Sequence, residues 1–420
     1  MRREIGCNRI DHEVSRRGFV AGSAMGAATV GGLLTPAQAG TVKQNHKRIL
    51  QIFLQGGLSQ FESWDPKHGT KYGGPFRAIP TSVPGMHISE LLPHTAKRMH
   101  LLSIVRSVDL KTSDHGVGRL RLEKGRMTGD FPYVGSVVSK YLSPADAPLP
   151  GYLHITTRGL TDNTNSFLGA EHAQMRLLGV NAPENLARPA GLDEEAAQRR
   201  NEFRRLANER FAGRGGQPAF TEAFDSSFEM ARRLMKRKTL FEAEPSAKDV
   251  ERYGSHPFGV RCILARKLLE NGATCVKVTH HGYDTHAENF NFHLEQLDEF
   301  DKTFCMLLDD LHESGMLEST LVNVYSEFGR TPKLNQRYGR DHWGSSFSVA
   351  MGGCGIVPGA IVGSTNADGT EVAEREVGGG HLFHTYLKAL GVDTSENHDI
   401  PGRPVPIGDP SVAPIEELLA

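Results

Sequence analysis

Hydrophobic positions along this chain fall into two rhythms. Short unbroken apolar runs, bounded by Gly or by polar clusters, read as strands buried on both faces. "RILQIFLQGG" from Arg48, the run at 101–106, "GYLHIT", "ATCVKVTHHG", "STLVNVYSEFG" and "SFSVAMGGCGI" are of this kind. Between them, "ISELLPHTAKRM", "FGVRCILARKLLENG", "NFHLEQLDEFDKTFCMLLDDLHESGML" and "HTYLKALGV" carry apolar residues at helical spacing. Strands alternating with helices predict an α/β fold with a largely parallel sheet covered on both faces. Two charged amphipathic stretches, "AQRRNEFRRLANERF" and "FEMARRLMKRKTLFEA", predict a helical insert at about 186–250 within that one domain.

In such a sheet, function gathers in the loops beyond the carboxyl ends of the strands. Four clusters of candidate chemistry follow predicted strands here. "HHGYDTHAENF" offers Asp284 and His286 as carboxylate and imidazole for one ion, with His280 or His281 as alternates. "SEFGRTPKLNQRYGRDHWG" offers the adjacent ligands Asp341 and His342. Glu327 at its start can orient a ligand, bind metal or pair with Arg330. Arg330 and Arg340 carry planar forks that suit phosphate, sulfate or carboxylate oxygens. "GGGHLFHTYLKAL" puts His381 and His384 on one face of a helix start, as ligands or as capping and core residues. "TSDHGVGRL" sets Thr112, Ser113, Asp114 and His115 at a helix N-terminus, which stabilises an anionic substrate group or is merely capped by Thr112 or Ser113.

Charge narrows the partners. Lys and Arg number 48 against 49 Asp and Glu, a net charge of -1, so no global field draws the chain to nucleic acid or anionic lipid. Nineteen His, several beside Asp, favour metal binding or acid–base work. The N-terminal "SRRGFVAGSAMGAATVGGLLTPAQAG" places Arg16-Arg17 before an Ala/Gly-rich stretch and the small-x-small site Ala37-Gln38-Ala39. This predicts a twin-arginine signal over 1–39, export by the twin-arginine translocase, and a periplasmic or secreted domain over 40–420. No later run approaches the ~20 apolar residues of a membrane span. Cys262, Cys275, Cys305 and Cys354 are widely spaced and form no CxxC, which favours buried small hydrophobes or one disulfide over a four-Cys zinc site.

With those residues in view, the chain resembles domain-of-unknown-function family 1501, a family of exported bacterial proteins. The resemblance is carried by the twin-arginine start, "FLQGGLSQFESWDPK", "VRSVDLKTSDHG", "RYGSHPFGVRCILARKLLENGATCVKV", "GYDTHAENF", "SEFGRTPKLN", "GRDHWG" and "GGGHLFHTYLKALG" across 47–400. It implies a branch of the alkaline phosphatase/sulfatase superfamily: a three-layer α/β/α sandwich with two neighbouring metal sites. On that pattern Asp341-His342 resembles the adjacent pair of one site, Asp284 and His286 ligands of the other, and His381 or His384 its late histidine. Gln55-Gly56 stands where the superfamily has a metal-bridging Asp-Gly, with Ser59, Glu62 or Asp65 as substitutes, and the superfamily nucleophile falls at or near His115. The Cys-x-Pro/Ala-x-Arg motif of formylglycine sulfatases is missing at 112–118.

The resulting expectation is a metal-dependent hydrolase of phosphate or sulfate esters, small or polysaccharide. It would use one or two divalent ions, zinc on the His content, with Mn, Mg or Ca as alternatives. Ser113, Thr112 or a water attacks, His115 acts as base, ligand or nucleophile, and Arg330 or Arg340 holds the anion. The competing expectation is a metal-stabilised scaffold that binds polysaccharide or protein, its catalytic centre degraded.

Overall fold

The computed structural model describes residues 46–157, 162–180, 183, 186–216, 218–242, 244–400 and 404–420, so the expected export signal lies outside the described residues. Ten strands concern the site: β1 (Arg48–Gln55), β2 (Leu102–Val108), β3 (Tyr152–Thr156), β4 (Met175–Leu178), β5 (Cys275–His281), β6 (Thr320–Tyr325), β7 (Gly329–Leu334), β8 (Arg340–Trp343), β9 (Phe347–Gly353) and β10 (Ile361–Val362). Seven helices accompany them: α1 (His115–Lys124), α2 (Val134–Leu142), α3 (Glu194–Gly213), α4 (Pro218–Lys236), α5 (Pro257–Glu270), α6 (Asn289–Glu313) and α7 (Gly379–Ala389).

Eight strands form the central sheet among the described residues, in the order β10-β2-β9-β6-β1-β5-β3-β4. β1 pairs in parallel with β5 on one side and β6 on the other, while β9 runs antiparallel to both β6 and β2. The unbroken apolar run of β1 is explained by burial on both faces. Leu50, Ile52 and Leu54 enter one core with Phe258 and Cys262 of α5 and Phe300 and Phe304 of α6. Ile49 and Phe53 enter the other with Val134 and Val137 of α2 and Leu382 and Phe383 of α7. The fold is therefore the expected three-layer α/β/α sandwich.

One element differs from its sequence pattern. The helix expected through "ISELLPHTAKRM" is a single turn at Pro93–Ala96, preceded by the short strand His87–Ser89. The Asp301 carboxylate on α6 accepts from the backbone N–H groups of His94 at 2.6 Å and Thr95 at 2.8 Å, which pins that turn against the long helix. The cysteines Cys262, Cys275, Cys305 and Cys354 are all free and buried.

Register sets up the site. Gln55 at the end of β1 lies opposite His281 of β5, and Phe53 opposite Tyr325 of β6, so the loops after all three strands leave the same edge of the sheet.

Candidate metal centre

Each loop reaches the centre for a local reason. β1 is followed by Gly56 (φ +123°) and Gly57 (φ +96°), where a Cβ on Gly56 would lie 2.4 Å from the Asp284 nitrogen. Glycine alone lets the two loops touch. The loop after β5 is stitched to the β7–β8 ribbon: Arg340 donates its backbone N–H to the Thr285 carbonyl at 3.0 Å, and Asn335 donates its amide to the His286 carbonyl at 3.0 Å. α1 is capped by Asp114, whose carboxylate accepts from the Val117 N–H at 2.8 Å, and so begins with His115 pointing at the same edge. Gly118 lets that helix pack tightly, since a Cβ there would meet the Glu327 carbonyl at 2.5 Å.

Three imidazoles and one carboxylate converge. His342 Nε2 lies 3.2 Å and His286 Nε2 3.1 Å from Asp284 Oδ1, and His115 Nε2 lies 3.4 Å from Asp284 Oδ2. The ligand atoms of His115, Asp284 and His342 all lie within 4.8 Å of one another. Phe328 is fully buried against them, its ring 4.7 Å from His115 and 4.5 Å from His342, and gives the cluster an apolar floor.

The opposite nitrogen of each ring is already held. His342 Nδ1 is 2.8 Å from the Ser113 carbonyl, which only accepts, so that nitrogen carries the proton. His286 Nδ1 faces the Asp341 carboxylate at 2.7 Å, and His115 Nδ1 faces Glu327 Oε1 at 2.8 Å. With the protons on Nδ1, each Nε2 is a lone pair in the neutral ring and a further donor in an imidazolium. Yet His286 Nε2 and His342 Nε2 are 2.9 Å apart, and both sit against an ionised oxygen of Asp284. Such a contact is satisfied by a proton carried on one of the rings or by a cation between them. The donor set fits a cation: ligand atoms about 2.0–2.1 Å from a tetrahedral zinc stand ~3.3 Å apart, and imidazole with carboxylate suits zinc better than the all-oxygen shells of Mg or Ca.

The surroundings shift the groups of the cluster in different directions. Burial pushes the Asp284 carboxyl up, but the Arg330 guanidinium at 2.5 Å, with His342 and His115, outweighs it and brings its pKa down to about 2. The hydrogen bond to Glu327 raises His115, whereas partial burial lowers His342.

The remaining expected residues are placed as follows. Asp341 and Glu327 stand behind the rings of His286 and His115: Glu327 is 2 % exposed and accepts from the Gly56 N–H at 3.0 Å as well as from His115. Arg330 gives its N–H groups to the carbonyls of Gly56, Gly57 and Arg340 and to Asp284. Arg340 gives its own to Glu62 and to the carbonyls of Thr331, Pro332 and Tyr72. Both arginines are buried, so neither is offered to an anion in solution. Ser113 Oγ accepts from the Gly344 N–H at 3.3 Å and Thr112 Oγ1 from the Asp114 N–H at 3.3 Å. His384 is satisfied at both nitrogens by Thr394 Oγ1 at 2.6 Å and the Asp409 carbonyl at 2.9 Å, and His381 Nδ1 accepts from the Gly378 N–H at 3.0 Å. His280 is buried against Tyr283, His281 bonds Thr157, Asp65 bonds Thr365, and the Ser59 side chain is fully buried. Gln55 lines a separate recess. Sequence reasoning missed Asn335, which donates to Asp341 Oδ1 at 3.0 Å, and the Phe328 floor. Position after a strand was the one available signal for Phe328.

A three-layer sandwich with a metal-type cluster at the carboxyl edge of its sheet defines the structural class. The chain belongs to the family described as "Protein of unknown function (DUF1501)", whose pattern matches residues 46–419. No curated protein matches it in sequence. Among solved structures it is similar to Ps i-CgsB in complex with k-i-k-neocarrahexaose, at 10% identity over 83% of this chain and 73% of that one, TM-score 0.44. It is also similar to the PsFucS1 sulfatase from Pseudoalteromonas sp., at 12% identity over 85% and 71%, TM-score 0.39. A protein in the alkaline phosphatase superfamily from Vibrio parahaemolyticus follows at 10% identity over 83% and 67%, TM-score 0.36. Among the described residues no helix is long and apolar enough to cross a membrane.

Proposed function

We propose that this protein is an exported, metal-dependent hydrolase of phosphate or sulfate esters, with one divalent ion, zinc on the donor chemistry, held by His115, His286, His342 and Asp284. The observation that carries the reading is the convergence of His115, His286 and His342 Nε2 on the Asp284 carboxylate at 3.4, 3.1 and 3.2 Å, with the far nitrogen of each ring held by an acceptor. An ion bound there supplies Lewis acidity toward an ester oxygen and toward water. The protein's own part is positional. Glu327, Asp341 and the Ser113 carbonyl fix the three rings, as outer partners of metal ligands do. Arg330 keeps Asp284 ionised, and Phe328 closes the inner side so that an ester approaches from the rim formed by Thr112 and Ser113. The hydroxyls of those two residues are held by backbone N–H groups, which favours water as the attacking group. Export rests on the Arg16-Arg17 pattern and the Ala37-Gln38-Ala39 site.

A second reading, a metal-stabilised scaffold that binds polysaccharide or protein, is favoured by the burial of Arg330 and Arg340, which leaves the centre without a mobile arginine clamp. Metal analysis of protein purified without chelator, followed by turnover of aryl phosphate and aryl sulfate, separates the two. The hydrolase requires about one ion per chain and chelator-sensitive turnover. Stoichiometric metal with no turnover supports the scaffold, and folded protein without metal sinks both.

A further inference from the structure

The helical insert carries an apolar face that its own chain leaves uncovered. α3 turns one seam toward α4: Ala196, Ala197, Asn201, Arg204, Asn208 and Ala212, spaced at helical intervals, are its half-buried positions. That seam is small and polar. Arg204 and Asn208 both donate to the buried Asp225 carboxylate of α4, and the Arg204 guanidinium lies 4.3 Å over the Phe228 ring. The large apolar residues point elsewhere: Phe203 is 74 % exposed, Phe211 52 % and Leu206 44 %. A surface helix ordinarily turns Phe and Leu to the core and Arg and Asn to water. α3 is reversed, and an apolar face so presented marks an interaction surface.

Charge decides what covers it. α3 holds four Glu and five Arg, and with Arg204 turned to Asp225 the outward side presents four of each. An anionic lipid surface or a polyanion would meet as many carboxylates as cations there, so neither is favoured. The signs are instead ordered along the axis, since Glu194 and Glu195 open the helix and Arg210 lies in its last turn. A second copy of the same helix, laid antiparallel, reverses that order and sets each acidic end beside a basic one. With the two-fold axis at Phe203, the most exposed large apolar side chain among the described residues, each Phe203 meets its own copy. Glu195 then lies opposite Phe211 and next to Arg210, Glu202 lies opposite Arg204 and next to Arg205, and Leu206 lies along the carbon stem of Arg200. No like charges face each other in that register.

We propose that α3 is the two-fold interface of a homodimer, an antiparallel pair of these helices closed over Phe203, Leu206 and Phe211. The interface is independent of the chemistry at the metal centre. Sedimentation velocity of the purified full chain over a concentration series tests it, with Phe203→Glu, Glu195→Arg, Arg210→Glu and the Glu195→Arg, Arg210→Glu double variant alongside. Wild type is expected to sediment as a dimer, and Phe203→Glu to raise the dimer dissociation constant about tenfold or more. Each single charge reversal should weaken the dimer and the double variant should recover it, which a pair across the axis requires and a merely destabilised helix would not give. Mild oxidation of Phe203→Cys should yield a disulfide-linked dimer, because Cys262, Cys275, Cys305 and Cys354 are buried and leave the new thiol to react with its copy. A wild-type chain that stays monomeric overturns the proposal. So does a dimer that Phe203→Glu leaves as tight as wild type, or one in which the Phe203→Cys thiols do not link, since either puts the interface elsewhere. Monomeric wild type that floats with phosphatidylglycerol vesicles, with flotation lost in Phe203→Glu, is equally fatal and gives the face to a membrane.

Discussion

Two histidine groups in this chain look alike in sequence and differ in structure. His286 and His342 follow strands in loops rich in Asp, and His381 and His384 sit at a helix start after a Gly run. His384 has a neutral partner at each ring nitrogen and is 5 % exposed. It is a core residue with its hydrogen bonds complete, and His381 caps its own helix. In the cluster each ring is tied at Nδ1 only, and the free nitrogens face one another and Asp284. Histidine content therefore does not identify a metal centre. The distinguishing mark is three ring nitrogens converging on one carboxylate, which Arg330 also holds.

The sharpest way to break this contrast is His342→Ala. Metal content of the purified variant, measured by mass spectrometry, should fall to background, with any hydrolytic turnover lost alongside. Retention of stoichiometric metal would remove the cluster from consideration. The next largest effect belongs to the residues behind the ligands. Glu327→Gln and Asp341→Asn leave all four ligand side chains in place and should weaken metal affinity about 10–100-fold, read by competition with a chelating dye. An effect of Asp341→Asn as complete as that of His342→Ala would restore Asp341 to the ligand set that the sequence suggested.

Much of the fold was legible because its strands are buried on both faces and so appear as unbroken apolar runs, as in β1 and β6. The single turn at Pro93–Ala96 was not, because the carboxylate that anchors it comes from Asp301, about 200 residues away. Within the site, Asp284, His286, His342 and His115 were visible as chemistry placed after strands. Their division of labour was not. Whether Asp341 ligates or orients a ring depends on the register between β7 and β8, which shifts between Arg340 and His342. The partner of His342 is the Ser113 backbone carbonyl, which has no side-chain signature at all. Arg330 and Arg340 illustrate the same limit: a fork that suits an anion also suits loop carbonyls, and only the folded backbone decides between them.

The helical histidines predict a smaller and different response. His384→Ala leaves the buried Thr394 hydroxyl and the half-buried Asp409 carbonyl without their partner, a loss of about 1–3 kcal/mol by the usual penalty for unsatisfied groups. Chemical denaturation should show it, with metal content unchanged. A fall in metal content at wild-type stability would place His384 with the ligands after all.

The last expected effect leaves the cluster untouched and is a proton effect confined to the scaffold. His46, bonded to Thr274 at 3.0 Å, has its pKa brought down to about 4 by burial and the nearby Arg48. His172, bonded to Ser139 at 3.1 Å, is likewise brought to about 4 by burial and Lys140. In the unfolded chain both return to about 6.5, so between these values the unfolded state binds more protons. Their contribution to stability is complete above about pH 6.5 and is lost as the pH falls toward 4. The melting temperature of wild type should decline across that window, and a His46→Gln, His172→Gln double variant should decline less steeply from its own starting point. Parallel curves would mean that neither ring titrates on unfolding. Neither histidine touches the cluster, so this acid sensitivity should survive in His342→Ala, which keeps the stability of the sandwich distinct from occupancy of the centre.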